Sequence, residues 1–400
     1  MSNPSVSIVI PCLNEADTIA ACIRDARAAG TVISDSYEVI VVDNGSTDAS
    51  RDIASNQGAR VVEVQQRGYG AALMGGIRSA RGRWVIIADG DASYDLGESP
   101  RLLAALREGN DLVMGCRLPS GGGRIAPGAM PWLHRWVGNP LFSALARHWY
   151  KVPVHDIHCG MRGFTKALVQ RLDLQCTGME FASEMVIKAA LARARIAEVP
   201  ITLRPDQRRS HAPHLRTFRD GWRHLRFYLL LSPRWLFGIP GLLLIALGLL
   251  AAALAYPSVR IGRVGFDVHT LLFAGFFIVL GVQTVLFGVL AKAYAEAQGL
   301  LPASASLARA ARWLRLEPGI ALGLGLCLAG LAFMGWAVIQ WGEAGFGVLD
   351  YSRTMRVVIP GVTLAAVGLQ VMLASFLLGV FSLPHQHAPR CASGDAREAQ

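Results

Sequence analysis

Charge is scarce in this sequence. Only 17% of its 400 residues are Asp, Glu, Lys or Arg, while 52% are hydrophobic. That balance is too apolar for an ordinary soluble protein. Cysteine pairs are missing too. Cys12, Cys22, Cys116, Cys159, Cys176, Cys327 and Cys391 are odd in number and scattered, with no Cys-x-x-Cys, so neither a disulfide framework nor a zinc site is expected. The start, Met1-Ser-Asn-Pro-Ser-Val-Ser7, has no charged n-region and no apolar h-region. No signal peptide is therefore expected, and the front of the chain is expected in a reducing cytoplasm. Gly-rich phosphate loops are lacking as well: Arg67-Gly-Tyr-Gly-Ala-Ala72 matches neither Gly-x-Gly-x-x-Gly nor a Walker sequence.

What is present is unevenly spread. Residues 1–230 have mixed composition, and residues 236–383 are mostly Leu, Ala, Gly, Val and Phe. Four apolar segments, Leu236–Tyr256, Val268–Tyr294, Gly319–Trp341 and Val357–Leu383, are each long enough to cross a bilayer. Gly323, Gly325 and Gly330 would let such helices pack closely. The net charge of +10 points to anionic partners. Arg204 to Arg234 carries eight arginines and only two acids, Asp206 and Asp220. Lys292, Arg309, Arg312 and Arg315 lie between the second and third spans. This bias puts both termini on the cytoplasmic side.

The front of the chain alternates short apolar runs with helical spacings. Val6–Pro11, Tyr37–Val42, Arg60–Val64, Trp84–Ala88 and Asp111–Cys116 read as strands, with helices over Ile19–Ala29, from about Ser46 to Asn56, to about Ala80, and over Glu98–Glu108. A helix is expected directly after Gly163, Met179–Ala194 reads as another, and Glu198–Leu203 reads as a further strand. Such alternation predicts an α/β domain with a mainly parallel sheet. Ligands then bind beyond the carboxyl ends of the strands. Residues 118–128 read as a mobile loop without regular structure. Met130–Tyr150 reads as an amphipathic helix, suited equally to a membrane interface or to core packing.

The acidic residues sit at those strand ends. The apolar run Trp84-Val-Ile-Ile-Ala88 gives way abruptly to Asp89-Gly-Asp91. Two carboxylates there need a facing cation, and Mg²⁺ or Mn²⁺ shared with phosphate oxygens would serve. Ser93 and Asp95 could extend the shell. Asn14, Glu15 and Asp43 offer acceptors for a base and a ribose, and Asp43 has no evident structural need in the sequence. Ser46 and Asp48 read equally as helix caps. His155, His158, His211 and His214 are not spaced as a metal set.

Taken together, Val6–Glu15, Asp43–Asp48, Arg67–Ala71, Asp89–Asp91 and Gly115-Cys-Arg117 resemble the family-2 glycosyltransferases. His155–Phe164, Glu180–Glu184 and Glu198–Thr202 resemble its polyprenyl-phosphate branch, the dolichyl-phosphate mannose or glucose synthases. The resemblance covers about residues 4–230. It implies a GT-A (nucleotide-diphospho-sugar transferase) domain, followed here by an all-α transmembrane domain of four helices. It also implies a UDP- or GDP-linked sugar donor, a polyprenyl-phosphate acceptor at the cytoplasmic membrane face, Mg²⁺ or Mn²⁺, and inversion at the anomeric carbon. Nucleic acid is not expected as a partner, and homo-oligomerisation is left open.

Residue by residue, the resemblance puts Pro11, Asn14, Glu15, Asp43, Gly70 and Asp89 at the donor. Asp91, Asp89 and Ser93 go to the metal. Arg117 goes to the acceptor phosphate, with Arg135 and Asn139 matching more loosely; Arg204, Arg208 and Arg209 are added by their charge alone and serve equally to attract anionic lipid. Asp89, Asp91, Arg117, Asp156 and Arg162 form the expected catalytic set, Arg162 as a further arginine for phosphate and Asp156 reading equally as an ordinary salt-bridge partner. Ser93 stands where relatives often have Gln, which leaves a third metal ligand open. His158-Cys159-Gly160 stands where many have Thr-Ser-Gly. The expected organisation is a catalytic domain over 1–203, an Arg-rich juxtamembrane segment over 204–235, four spans over 236–384 and a cytoplasmic tail over 385–400. A processive polysaccharide synthase is the competing enzyme, but its Gln-x-x-Arg-Trp is missing. A non-catalytic membrane scaffold is the other, and intact Asp89, Asp91 and Arg117 argue against it.

Overall fold

The structure, a computed structural model, describes residues 4–33, 36–208, 217–298 and 300–381, without the side chains of 306, 310 and 311. Arg209, His211, His214 and the tail 385–400 therefore lie outside the described residues. The chain divides into two compact units, Met1–Leu230 and Leu231–Gln400.

The first unit runs β1 (Val6–Cys12), α1 (Ile19–Ile33), β2 (Tyr37–Asp43), α2 (Ser50–Asn56), β3 (Arg60–Glu63), α3 (Tyr69–Ser79), β4 (Trp84–Ile87), α4 (Ser99–Arg107), β5 (Leu112–Cys116), β6 (Arg124–Ile125), α5 (Asn139–Tyr150), β7 (Arg162–Thr165), α6 (Lys166–Leu172), α7 (Phe181–Leu191), β8 (Ile196–Pro200), β9 (Thr202–Leu203) and α8 (Thr217–Leu230). Seven strands make one sheet in the order β3-β2-β1-β4-β7-β5-β8. All neighbours are parallel except β7, which runs antiparallel between β4 and β5. The core strands are β-branched and almost fully buried, as a sheet covered on both faces requires.

Register brings the polar ends level. Cys12 pairs with Asp43, and Val9 pairs with Ile87. Two residues on, Asp89 is therefore level with Pro11. A Cβ added to Gly90 would come within 2.8 Å of the Pro11 carbonyl oxygen.

Three expectations are corrected. Residues 118–128 are not irregular throughout: Pro119–Gly121 forms a 3₁₀ turn and β6 pairs with β9. The strand expected over Glu198–Leu203 is two strands in different sheets. The helix expected directly after Gly163 is preceded by β7, whose Arg162-Gly-Phe-Thr lacks the apolar run of a buried strand.

Met130–Tyr150 does form helix, in two pieces. His134–Gly138 is a π turn in which Asn139 N–H donates to the His134 carbonyl. Pro140, in the first turn of α5, has no N–H to offer and its ring displaces the carbonyl before it, which opens the turn. The same device recurs over Arg234–Gly238 before Pro240.

The second unit contains α9 (Ile239–Ala255), α10 (Val268–Ala297), α11 (Ala305–Trp313), α12 (Leu316–Glu343) and α13 (Tyr351–Phe381). Four helices, Arg234–Ala255, Val268–Ala297, Leu316–Glu343 and Tyr351–Phe381, have mean hydropathy of 2.1–2.4, and only 11–28% of their most apolar stretch is buried inside the protein. Outward apolar surface on that scale needs lipid, so this is a membrane protein. Gly323 and Gly330 lie against Gly368 and Gly361 of α13, as close packing requires, whereas Gly325 faces open space. The amphipathic α11, between the second and third spans, is too short to stand out from the sequence. On the opposite side of the spans, Arg356 pairs with Asp267 at 2.5 Å and donates to the Tyr256 carbonyl at 2.7 Å.

Candidate active site

Asp89 and Asp91 both leave the end of β4, but their surroundings differ. Asp89 Oδ1 accepts from the Tyr69 hydroxyl at 2.8 Å. Tyr69 is there because α3 starts at Gly68, whose φ of 134° only glycine adopts readily and where a Cβ would strike the Thr177 carbonyl. On the other side, a Cβ at Gly160 would collide with Asp89 Oδ2. Burial, then the Asp91 carboxylate, push the Asp89 pKa up to about 6. Asp91 is more open. Its Oδ1 accepts from Ser93 Oγ at 2.6 Å and from Ser93 N–H at 3.0 Å. The Ser93 hydroxyl thus donates to Asp91 and fixes its rotamer.

Arg117 follows β5. Its Nε meets Asp156 Oδ2 at 2.7 Å and its Nη2 meets Asp156 Oδ1 at 2.9 Å, with Asp156 fully buried. Burial alone would weaken the hold of Arg117 on its proton; Asp156 more than reverses this and keeps it charged. Arg117 Nη1 also donates to the Tyr94 hydroxyl at 3.2 Å, which accepts in turn from Gly160 N–H at 2.8 Å. Asp156 is oriented by Glu198, which takes the backbone N–H groups of His155 and Asp156 at 2.8 and 2.9 Å. Arg162 is 1% exposed and donates to the carbonyls of Ala182 and Cys159. It therefore braces β7 against α7 and lends its charge to Asp89 from behind. Glu184 likewise holds the backbone N–H groups of Gln175 and Cys176 and pairs with Lys188 at 2.8 Å.

The β1 and β2 ends form the corner expected to take a base. Asn14, at φ 59°, donates its backbone N–H to Ser46 Oγ at 3.0 Å, and its side-chain oxygen accepts from Thr47 N–H at 2.8 Å. Asp43 has a structural role that the sequence did not suggest, since it accepts the N–H groups of Gly45 and Ser46, both at 3.1 Å. Asn44 ties this corner to the glycine turn by accepting from Gly68 N–H at 2.7 Å. Gly70 packs under Cys176 and Phe181, where a Cβ would not fit; it brings α3 close to α7.

The arginines expected at a phosphate divide into three. Arg204 pairs with Asp95. Arg208 reaches back across the strand ends: its Nη2 lies 3.0 Å from Asp91 Oδ2 and its Nη1 3.2 Å from Glu15 Oε1. Arg135 stacks its guanidinium over Trp136 at 5.2 Å, and its buried Nε has no partner. Beside it, Asn139 Oδ1 meets His158 Nδ1 at 3.2 Å. His158 packs against His224 of α8 with ring centroids 4.4 Å apart and planes tilted by 45°, and His224 meets Ser183 Oγ at 2.9 Å. Burial holds both imidazoles neutral, His224 down to about 4.

The fold brings the acids and Arg117 named from the sequence together with Tyr69, Tyr94 and His224, which were not named, and with Glu198, named only within a motif. Tyr69 and Tyr94 had a signal, since each stands within a strand-end loop already singled out. His224 had none, because only the fold brings α8 to His158.

Outward from this site, Trp132, Trp136 and Leu141 on one segment and Phe218 and Trp222 on α8 are exposed, Phe218 to 85%. The two segments are joined by His134 Nε2 and Thr217 Oγ1 at 2.9 Å and by the edge-on rings of Phe142 and Tyr228.

Among the described residues, no group of three or more His, Cys, Asp or Glu could hold a metal alone. Asp91 nevertheless already faces a cation, the Arg208 guanidinium. Few protein oxygens and a demand for positive charge fit a divalent ion whose other ligands are phosphate and water oxygens.

Comparison with known proteins gives consistent results. Residues 7–173 match the family described as glycosyl transferase family 2, and residues 289–382 match the glycosyltransferase family 2 C-terminal transmembrane region. The low-salt glycan biosynthesis hexosyltransferase Agl6 of Haloferax volcanii is 38% identical over 386 residues, spanning 94% of this chain and 89% of that protein. A dolichyl-phosphate hexose transferase of the same organism is 31% identical over 200 residues, 50% of this chain and 82% of that protein. Among solved structures, glucosyl-3-phosphoglycerate synthase from Mycobacterium tuberculosis, in complex with Mn²⁺, uridine diphosphate and glucosyl-3-phosphoglycerate, is 24% identical with a TM-score of 0.46 over 57% of this chain and 79% of that one.

Proposed function

The chain belongs to glycosyltransferase family 2, and we propose that it moves a hexose from a UDP- or GDP-linked donor to a polyprenyl phosphate, with inversion, at the cytoplasmic face of a membrane. The observation that carries this reading is the meeting of Glu15, Asp91 and Arg208 at the ends of β1 and β4, with Asp89 beside Asp91 and under the charge of Arg117 from the end of β5. One edge of the sheet thus offers both a cation site and fixed guanidinium groups, which a diphosphate leaving group and a phosphate nucleophile both need. A polyprenyl-phosphate hexose transferase among the relatives supports the acceptor class.

The chemistry asks little of a base. A phosphate monoester is an anion at neutral pH, and its oxygen attacks the anomeric carbon while the bond to the nucleoside diphosphate breaks and the electron pair leaves on the diphosphate. Mg²⁺ or Mn²⁺ held by Asp91 would supply charge to that leaving group. The protein's own part is to position two anions that repel each other. Arg117, locked by Asp156, presents its remaining N–H groups without rotamer freedom. The Asn14–Asp43–Ser46 corner is shaped for the base and ribose. The exposed Trp132, Trp136, Phe218 and Trp222 support seating of this unit on a bilayer surface, where the lipid acceptor lies. Basic residues before the first span and between the second and third favour the cytoplasmic side.

The test is direct. Purified full-length protein is given Mg²⁺ or Mn²⁺, polyprenyl phosphate and a panel of labelled UDP- and GDP-sugars. Label should pass into a solvent-extractable lipid, and Asp91→Ala should abolish it. Transfer from no donor in the panel, with Asp91→Ala indistinguishable from the parent, would remove the reading.

A further inference from the structure

We propose that Arg208 is the resting counter-cation of Asp91, that a divalent metal gains this carboxylate only by displacing it, and that the nucleotide diphosphate receives the displaced guanidinium. The inference rests on the metal and donor reading above and adds a coupling between the two ligands.

The geometry is that of an occupied cation site. Arg208 Nη2 lies 3.0 Å from Asp91 Oδ2 while Nη1 lies 3.2 Å from Glu15 Oε1. One guanidinium therefore bridges two strand ends that the proposed function gives to different ligands, the metal and the base. The Arg208 side chain is only 10% exposed, so these contacts are poorly screened by water. The segment is laid along the acidic loop by its backbone. Tyr94 bridges Leu203, Arg204 N–H donates to the Ser93 carbonyl at 2.8 Å, and Gln207 N–H donates to the Asp91 carbonyl at 3.2 Å.

A guanidinium and a divalent ion compete for Asp91 Oδ2, because their like charges would stand about 4 Å apart in a poorly screened site. Mg²⁺ binds oxygen at about 2.0–2.1 Å and tolerates only oxygen ligands around it. The arginine must leave as the metal arrives. It does not travel far, because Asp206 holds it independently, with Nε 2.8 Å from Oδ2 and Nη2 2.7 Å from the same oxygen. A diphosphate bound beside Asp91 is the anion to which a forked donor turns. Without nucleotide, displacement costs Arg208 its Asp91 contact with nothing in exchange, and metal binding is weak. With nucleotide, the loss is made good. By linkage, nucleotide strengthens metal binding by the same factor that metal strengthens nucleotide binding.

The experiment reads binding rather than turnover. Free Mn²⁺ is followed by electron paramagnetic resonance as it is titrated onto full-length protein, alone and with saturating UDP or GDP. The parent should bind Mn²⁺ at least about 10-fold more tightly with the cognate nucleotide than without. Arg208→Gln should bind Mn²⁺ alone about 10-fold more tightly than the parent does, and its nucleotide enhancement should fall by about the same factor, to the part that direct phosphate ligation of the metal supplies. A through-space charge effect would raise Mn²⁺ affinity but leave the enhancement intact, so an unchanged enhancement in Arg208→Gln overturns the proposal. Arg208→Lys keeps the charge without the fork; its enhancement should fall between the two, and one equal to the parent's is also contrary. Failure of parent and variant alike to bind Mn²⁺ with either nucleotide overturns the metal reading itself, and the proposal with it.

Discussion

Asp156 receives Arg117 through both carboxylate oxygens, at 2.7 and 2.9 Å, and then takes the Arg117 backbone N–H at 3.0 Å as well. A single buried acid thus fixes both the chain and the side chain of the residue that ends β5. Asp156→Ala leaves a buried guanidinium unpaired and should destabilise the protein by about 3–5 kcal/mol. Asp156→Asn keeps the shape and should cost less. Thermal unfolding of the two variants in detergent gives the ranking; equal melting points would contradict it.

Tyr69→Phe removes the 2.8 Å hydrogen bond to Asp89 while keeping the ring. A hydrogen bond to a charged group contributes about 1.5–3 kcal/mol, so sugar transfer should fall about 10- to 100-fold. The melting point should fall by only a few degrees, in line with the lost bond. Parent-level transfer by this variant would show that Asp89 needs no such support.

Gly160→Ala places a methyl group against Asp89 Oδ2 and the Tyr94 ring. The carboxylate must swing, and transfer should drop more than in Tyr69→Phe, with circular dichroism unchanged. Retained activity would mean that the loop gives way instead.

His224 sets a pH response. Its folded pKa, about 4, lies below its ordinary 6.5. Its neutral form is thus favoured by folding; that contribution is fully present above pH 6.5 and is lost as pH falls toward 4. The slope of stability against pH from this residue is at most about 1.4 kcal/mol per unit. Unfolding measured from pH 4 to 8 should show it, and His224→Gln should flatten the acid limb relative to the parent.

Trp132, Trp136 and Trp222 should report lipid contact. In bilayer discs containing brominated lipid, replacing all three with Phe should remove a measurable share of the quenched tryptophan emission. Identical quenching in parent and variant would place these side chains in water.

Much of this fold is written in the chain. The strand ends Asp43, Asp89 and Cys116 are legible because β-branched runs stop abruptly at polar residues. The four spans are legible from length and hydropathy alone. β7 is not, because Arg162-Gly-Phe-Thr is stabilised by neighbours on both sides rather than by its own composition. The role of Asp43 is hidden for a related reason. The N–H groups it accepts become available only when the turn at Gly45, φ 89°, is made. In sequence, Arg162 looks like one more arginine for a phosphate. Its burial follows from its place in a central strand, which composition does not reveal.

The outward Trp132, Trp136, Phe218 and Trp222 also bear on handling. A chain cut after Leu230 would retain every strand of the sheet, yet would carry these side chains into water. It should self-associate or cling to hydrophobic resin, and stay dispersed only with detergent. For purification, the boundary between soluble and membrane protein therefore falls upstream of the first span, near Trp132.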